Sequence, residues 1–265
     1  SVVNETGVLS IDPGQFNDLA ASESVTLTAS YNVIDGNGGL VANTATLVIT
    51  GTNDAPILAG AVTFHINGTP KEGLSFTEGD SATVIDSDLS LSDVDDANIE
   101  SATITLAGFT SSNDVLAFTN TPDITGSWDS ETRTLTLLGS ATKSQYEAAL
   151  ETVTFQNTNT DDPFNGMRTV VWVVSDGPAF VVGSLGPGNF PSNAALTRIS
   201  VSDVNDAPTV ASIDAGTANE DGATVTINLL ATANDVDGDD LDTSSVGVTS
   251  SDSRTVSFSV VNETG

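Results

Sequence analysis

Oxygen-bearing side chains recur at fixed spacings along this sequence, and their types suit a hard cation. Glu78 stands fifteen residues ahead of Asp93-Val-Asp95, and Glu220 stands fifteen ahead of Asp235-Val-Asp237. Asn53-Asp54-Ala55-Pro56 recurs as Asn205-Asp206-Ala207-Pro208. Calcium takes about six to eight oxygen ligands in flexible geometry, so loops from neighbouring elements can share one ion. One candidate set is therefore Asp203, Asn205 and Asp206 with Asp235, Asp237 and Glu220. The other is Asn53 and Asp54 with Glu78, Asp93 and Asp95, where Gly51 stands in the place that Asp203 holds in the second set. Asp35 and Asp176, each followed by glycine near a strand end, are candidate completing ligands. Isolated Asp-Gly pairs are common turn formers. Two clusters with one spacing ask for a shared cause, and calcium binding supplies it.

Other chemistries are poorly served. His65 is the single histidine and cysteine is absent, which excludes a tetrahedral His/Cys zinc site and leaves no thiol nucleophile. Paired carboxylates could in principle cleave a glycosidic bond, but the aromatic platform for a sugar is thin. Trp172, in the run VVWVV, reads as core, which leaves Trp128 as the one residue to consider for glycan contact. The run DVDGDD from Asp235 has the start of a helix-flanked calcium loop but lacks its twelfth-position glutamate and its helices. No enzyme is expected. The formal charge of −30, from 36 acids against 6 bases, repels nucleic acid and anionic membranes, and it loads the folded state with self-repulsion that cations would relieve. No apolar run approaches the ~20 residues of a membrane helix.

The elements that would carry these acids are short strands. ATITLAGF, TRTLTLL, TVTFQNT, RTVVWVVSDG and ATVTINLL alternate branched or aromatic residues with polar ones, the mark of half-buried strands. Two short helical stretches are expected, PGQFNDLA from Pro13 and KSQYEAAL from Lys143. The heptad SVVNETG opens the chain at Ser1 and recurs at Ser259, a period of 258 residues. The sequence thus reads as one period of a tandem array and an excerpt of a longer chain. The Asn-Asp-Ala-Pro tetrapeptides read as hinges, because proline cannot continue a central strand. They divide the chain into residues 1–54, the back half of a sandwich; 55–206, a complete sandwich; and 207–265, the front half of the next. The expected class is all-β, with tandem immunoglobulin- or cadherin-like sandwiches, one of them split between the two chain ends.

Tail and head joined through the heptad resemble a VCBS repeat, on GVLSIDPGQFNDLAASESVTLTASYNVIDGNGG closing on ITGTNDAP. The middle resembles the bacterial cadherin-like repeats, on TEGDSATVIDSDLSLSDVDD, YEAALETVTFQNTNTDDP, RTVVWVVSDG and SVSDVNDAP. The animal cadherin linker is matched by Asp203-Val-Asn205-Asp206, without a mid-domain Asp-Arg-Glu. These resemblances imply very large secreted surface adhesins of bacteria, in which such repeats extend a binding tip from the cell. They imply a calcium-rigidified structural extender whose partners are neighbouring repeats, head to tail, with a glycan or cell-surface target elsewhere in the protein. The alternative is a module that itself binds glycan or protein.

Overall fold

Alternation becomes burial wherever a strand finds partners on both sides. In the computed structural model, described for residues 7–60, 72–108, 111–177, 192, 194–243, 246–251, 255 and 257–259, two compact units appear, Ser1–Ser202 and Asp203–Gly265. The first unit begins with a 3-10 turn at Pro13–Phe16, capped by Asp12. A hairpin follows, of β1 (Ser24–Ile34) and β2 (Leu40–Thr50). Then come β3 (Ile57–Ala59), β4 (Glu72–Thr77), β5 (Thr83–Val84), β6 (Ser90–Ser92), β7 (Asn98–Ala107), β8 (Asp114–Ala117), β9 (Thr125–Asp129) and β10 (Thr134–Thr142). Helix α1 (Lys143–Leu150) leads to β11 (Thr154–Asn157), β12 (Gly166–Ser175) and β13 (Ala195–Ser202).

Six of these strands form one sheet, in the order β4-β13-β12-β7-β10-β9, and three form a second, β5-β11-β8. Only β13 and β4 run parallel within the large sheet; its other pairs are antiparallel. The inward residues of both sheets share one core. Ile104, Leu135, Trp172 and Ile199 come from the large sheet, and Leu116 and Phe155 from the small one. Phe76 meets Phe155 edge to face at 5.2 Å between centroids, which joins the layers directly. This is a β-sandwich.

Helix α1 spans the stretch KSQYEAAL read from the sequence. Thr142 and Gln145 close a capping box at its start, and the helix buries Tyr146, Ala149 and Leu150. The other expected helix, PGQFNDLA, amounts to its single 3-10 turn, since proline and glycine open it and it buries no residue. Trp172 is core, and its indole nitrogen donates to Thr197 Oγ1 at 3.0 Å. Trp128, the glycan candidate, packs half-buried against the core from β9 and is not a free platform. His65 lies outside the described residues, as do nearly all of GAVTFHINGTPKEG and most of the Gly/Pro-rich stretch after Asp176.

Among its described residues the second unit holds one short antiparallel pair, β14 (Thr209–Val210) with β15 (Ala233–Asn234). ATVTINLL, expected as a strand over 223–230, is not one: it is exposed throughout and pairs with no strand. Alternation supplies a face, but a strand also needs a neighbour for its backbone hydrogen bonds.

One buried charge pair fixes the sandwich interior. Arg168 Nε donates to Asp114 Oδ2 at 3.0 Å, with both side chains fully buried. Asp114 also accepts from Asn157 Nδ2 at 2.7 Å and from the Ser111 amide at 2.8 Å. Removing one partner strands the other charge away from water. Arg168→Met is therefore expected to cost the sandwich about 3–5 kcal/mol, and Arg168→Met with Asp114→Asn less than the sum of the two single changes. Urea unfolding followed by tryptophan emission measures this, because both tryptophans lie in the sandwich.

Candidate metal centre

The first acid cluster is assembled by three separate connections of the sandwich. Asn53 and Asp54 lie between β2 and β3; Asp93, Asp95 and Asp96 form the turn between β6 and β7; Asp176 follows β12. Short-range bonding shapes the turn: the amides of Asp95 and Asp96 donate to Asp93 Oδ1 at 3.1 and 2.8 Å. Lys143, at the start of α1, holds the same turn from its backbone, its ammonium donating to the carbonyls of Asp93 and Asp96 at 2.9 and 2.5 Å. The linker is tied in by the Asp54 amide, which donates to Asp95 Oδ2 at 3.1 Å. Asn53 Nδ2 donates to Asp176 Oδ2 at 2.9 Å and to the Asp54 carbonyl at 3.0 Å.

Every one of those bonds leaves the opposite carboxylate oxygen unused. Asp93 Oδ2, Asp95 Oδ1 and Asp176 Oδ1 are buried with no hydrogen-bond partner. Ligand oxygens of Asp93, Asp95 and Asp96 lie within 4.8 Å of one another. Burial, then repulsion from Asp95, raises Asp93, and the same two causes raise Asp96 against the pull of Lys143. Asp176 is pushed from the usual 3.8 to about 6, chiefly by burial, with the charges of Asp93 and Asp96 adding to it. Carboxylate oxygens gathered, desolvated and left without donors are what a hard divalent cation requires, so the residues present fit calcium.

The second unit repeats the bonding pattern. The Asp206 amide donates to Asp237 Oδ2 at 2.5 Å, as the Asp54 amide does to Asp95. The Asp237 amide donates to Asp235 Oδ1 at 3.1 Å, and Asn205 Nδ2 donates to the Asp206 carbonyl at 2.9 Å. Asp203 Oδ1 and Asp237 Oδ1 are again buried without partners. Two stretches of chain thus tie an Asn-Asp linker to an Asp-x-Asp loop by the same amide-to-carboxylate bond, and Asp95 and Asp237 keep the equivalent oxygen unmet in each.

The remaining candidates sit elsewhere. Asp35 closes the tip of the β1–β2 hairpin, accepting from the amides of Asn37 and Gly39 at 2.8 and 2.9 Å, which holds its carboxyl below the ordinary value. It lies at the far end of an eleven-residue strand from Asn53 and acts as a turn former. Glu78 follows β4, its amide bonded to the Ser202 carbonyl, and stands outside the Asp93–Asp95–Asp96 group. Glu220 is exposed in a turn. Asp96 was not singled out by spacing, although the run Asp93-Val-Asp95-Asp96 contains it.

Gly51 has a steric reason to differ from Asp203. A Cβ there would come 2.2 Å from the Leu19 carbonyl oxygen and 2.3 Å from that of Ala20. No side chain fits, so the first linker cannot present the acid that the second one does.

No family model matches the chain, and no curated protein matches it. Among solved structures, mouse clustered PcdhgC3 EC1-3 aligns at 16% identity and a TM-score of 0.31, over 71% of this chain and 46% of that one. Protocadherin Gamma B2 extracellular cadherin domains 1-5 aligns at 14% identity and a TM-score of 0.27, over 71% of this chain and 27% of that one. The chain therefore spans less than half the length of either structure. The sandwich itself rests on the strand order and shared core described above.

Asp176 gives the cluster a pH signature. Its folded pKa of about 6 lies above the usual 3.8, so the folded state holds the proton more tightly. The stability this contributes is fully present below 3.8 and is lost as pH rises through about 6. In chelator, the melting temperature of the sandwich should fall as pH rises across that window, and Asp176→Asn should flatten the slope. Calcium, which binds the ionised carboxylate, should oppose the fall. Thermal melts in both buffers decide it.

Proposed function

We propose that the chain is a calcium-rigidified structural extender, one period of a tandem-repeat surface adhesin or extracellular filament of bacterial type. The observation that carries this reading is the pair of matching linker-and-loop frames, each with buried carboxylate oxygens that no donor meets. Each frame ties an Asn-Asp-Ala-Pro linker to an Asp-x-Asp loop. A cation there neutralises repelling acids and locks the linker backbone onto the loop at once. Such a device fixes the geometry of a connection and turns over no substrate.

The period of 258 residues and the net charge of −30 support the same reading. Tandem repetition makes length, and an acidic surface keeps long repeats from collapsing on one another until cations bind. The neighbours are repeats of the same protein, head to tail, and the target of the whole protein lies in other domains. The setting is outside the cell, where calcium is abundant enough to fill modest sites. No helix among the described residues is long and apolar enough to cross a membrane.

In the frames, Asp93, Asp95, Asp96 and Asp176 would hold one ion, and Asp203, Asp235 and Asp237 would contribute to another. Calcium supplies charge neutralisation and cross-linking of loops, while Asn53, Asn205 and Lys143 orient the acids. An ion bound only by the folded state stabilises it by about 2.7 kcal/mol at a hundredfold excess over its dissociation constant. Titrating calcium into the chain should raise the melting temperature and increase the maximum dimension seen by small-angle scattering. Asp93→Ala and Asp95→Ala should each remove the gain in the first unit, and the double variant should lose little more than either. Unchanged melting and dimension in calcium would overturn the reading.

A further inference from the structure

The β1–β2 hairpin has an uncovered apolar face. Its register pairs Val25 with Ile49, Leu27 with Leu47, Tyr31 with Asn43, and Val33 with Val41, all on one side. Its other side pairs Thr26 with Val48, Thr28 with Thr46, Ser30 with Thr44 and Asn32 with Ala42, and turns apolar beside the tip, at Ile34 with Leu40. The first side is the more apolar and reads as a sheet's inward face, and the middle of the other is polar. Yet only Ile49 is buried, while Val33 is 58% and Val41 67% exposed. A two-stranded hairpin of this kind is marginal without a second layer.

The second unit has the complementary defect. In residues 223–230, Val225, Ile227 and Leu229 alternate with polar residues, but no strand pairs with them and all three are exposed. The charge distribution marks the same two segments. In a chain with 36 acids, residues 24–50 contain one, Asp35, and residues 223–230 contain none. Depletion of charge distinguishes the centre of an interface from the surrounding surface.

Sequence identity names the occupant. The heptad at Ser259 is the heptad at Ser1, which leads into the hairpin, so residues 207–258 are the sequence that precedes a hairpin in a continuous array. We propose that the apolar face of β1–β2 is an interaction surface completed by residues 207–243 of a second copy of this chain, with 223–230 entering as a strand. The contact joins the front of one copy to the back of another. It is heterologous and does not close, so successive copies build linear filaments. This rests on the tandem-repeat reading but not on calcium.

Sedimentation velocity and hydrogen exchange of the full chain over a wide concentration range, in calcium and in chelator, provide the test. The expected result is a mass that rises several-fold with concentration, with amide protection growing together in β1, β2 and 223–230. Val33→Lys with Leu47→Lys should hold the chain monomeric, and Thr28→Lys, in the polar middle of the other side, should not. Tryptophan emission from the sandwich confirms that each variant is folded. A permuted chain, 55–265 followed by 8–54, should be monomeric with both segments protected. A monomer with those segments exchanging freely at every concentration overturns the proposal. So does a monomer protecting them at the lowest concentration, where the chain covers itself, or association indifferent to Val33→Lys and Leu47→Lys. Loss of the calcium effect on melting would sink the cation reading and leave this one standing, whereas absence of association in both buffers would sink this one alone.

Discussion

A carboxylate oxygen withdrawn from water must be met by a donor or by a cation, or its burial costs the folded state several kcal/mol. Most acids of this chain escape the problem by staying on the surface, and Asp114 escapes it by pairing with Arg168. Five acids at the linkers, their loops and a strand end do neither. Asp93, Asp95, Asp176, Asp203 and Asp237 each keep one buried oxygen unmet. Backbone amides bind the other oxygen of Asp93, Asp95 and Asp237, so each side chain is fixed in direction before any ion arrives. A site built this way spends little conformational entropy on binding. It is also repulsive when empty of cations, and that repulsion falls on the connections between strands.

The two frames differ at the head of the linker, and that difference follows from packing. In the first unit the chain before the linker comes back against Leu19 and Ala20, so Gly51 is the residue the crowding allows. Its amide donates to the Glu23 carbonyl at 2.9 Å, which anchors the linker from the hairpin side. In the second unit Asp203 holds the matching place and adds a buried carboxylate oxygen. Asp176 contributes such an oxygen to the first unit from the end of β12. The two sets of acids are thus not supplied from the same positions, and spacing alone could not have said which.

The sandwich strands were legible because their burial is governed by period-two alternation, and α1 because a capping box and a buried face coincide in eight residues. Asn53, Asp93 and Asp95 were read together from the recurring tetrapeptide and loop motifs, and Asp176 was read as a completing ligand from its Asp-Gly pair; the structure ties Asn53 to Asp176 and Asp54 to Asp95 by hydrogen bonds. Three readings have a different standing for physical reasons. Glu78 was singled out by a spacing along the chain, and spacing does not fix the course of the chain after an edge strand; it is not in the Asp93–Asp95–Asp96 group. Asp35 shares its Asp-Gly signature with Asp176, yet it sits at a hairpin tip rather than beside a linker. ATVTINLL has the pattern of a strand and no neighbour to make it one. The pattern records the environment for which a segment is suited, and the environment requires residues that are distant in sequence.

Rigid and incomplete parts coexist in this molecule. The sandwich carries its own core, closed by Phe76 against Phe155 and by the Arg168–Asp114 pair. The hairpin and the 207–243 segment have exposed apolar residues and few strand partners among the described residues. An array built from such pieces is continuous in its stability only if each end finds its complement and each linker is fixed on its loop. In the array proposed above, apolar burial would accomplish the first and cation binding the second. The two couplings would then be separable, one setting whether repeats join and the other how stiffly they are held once joined.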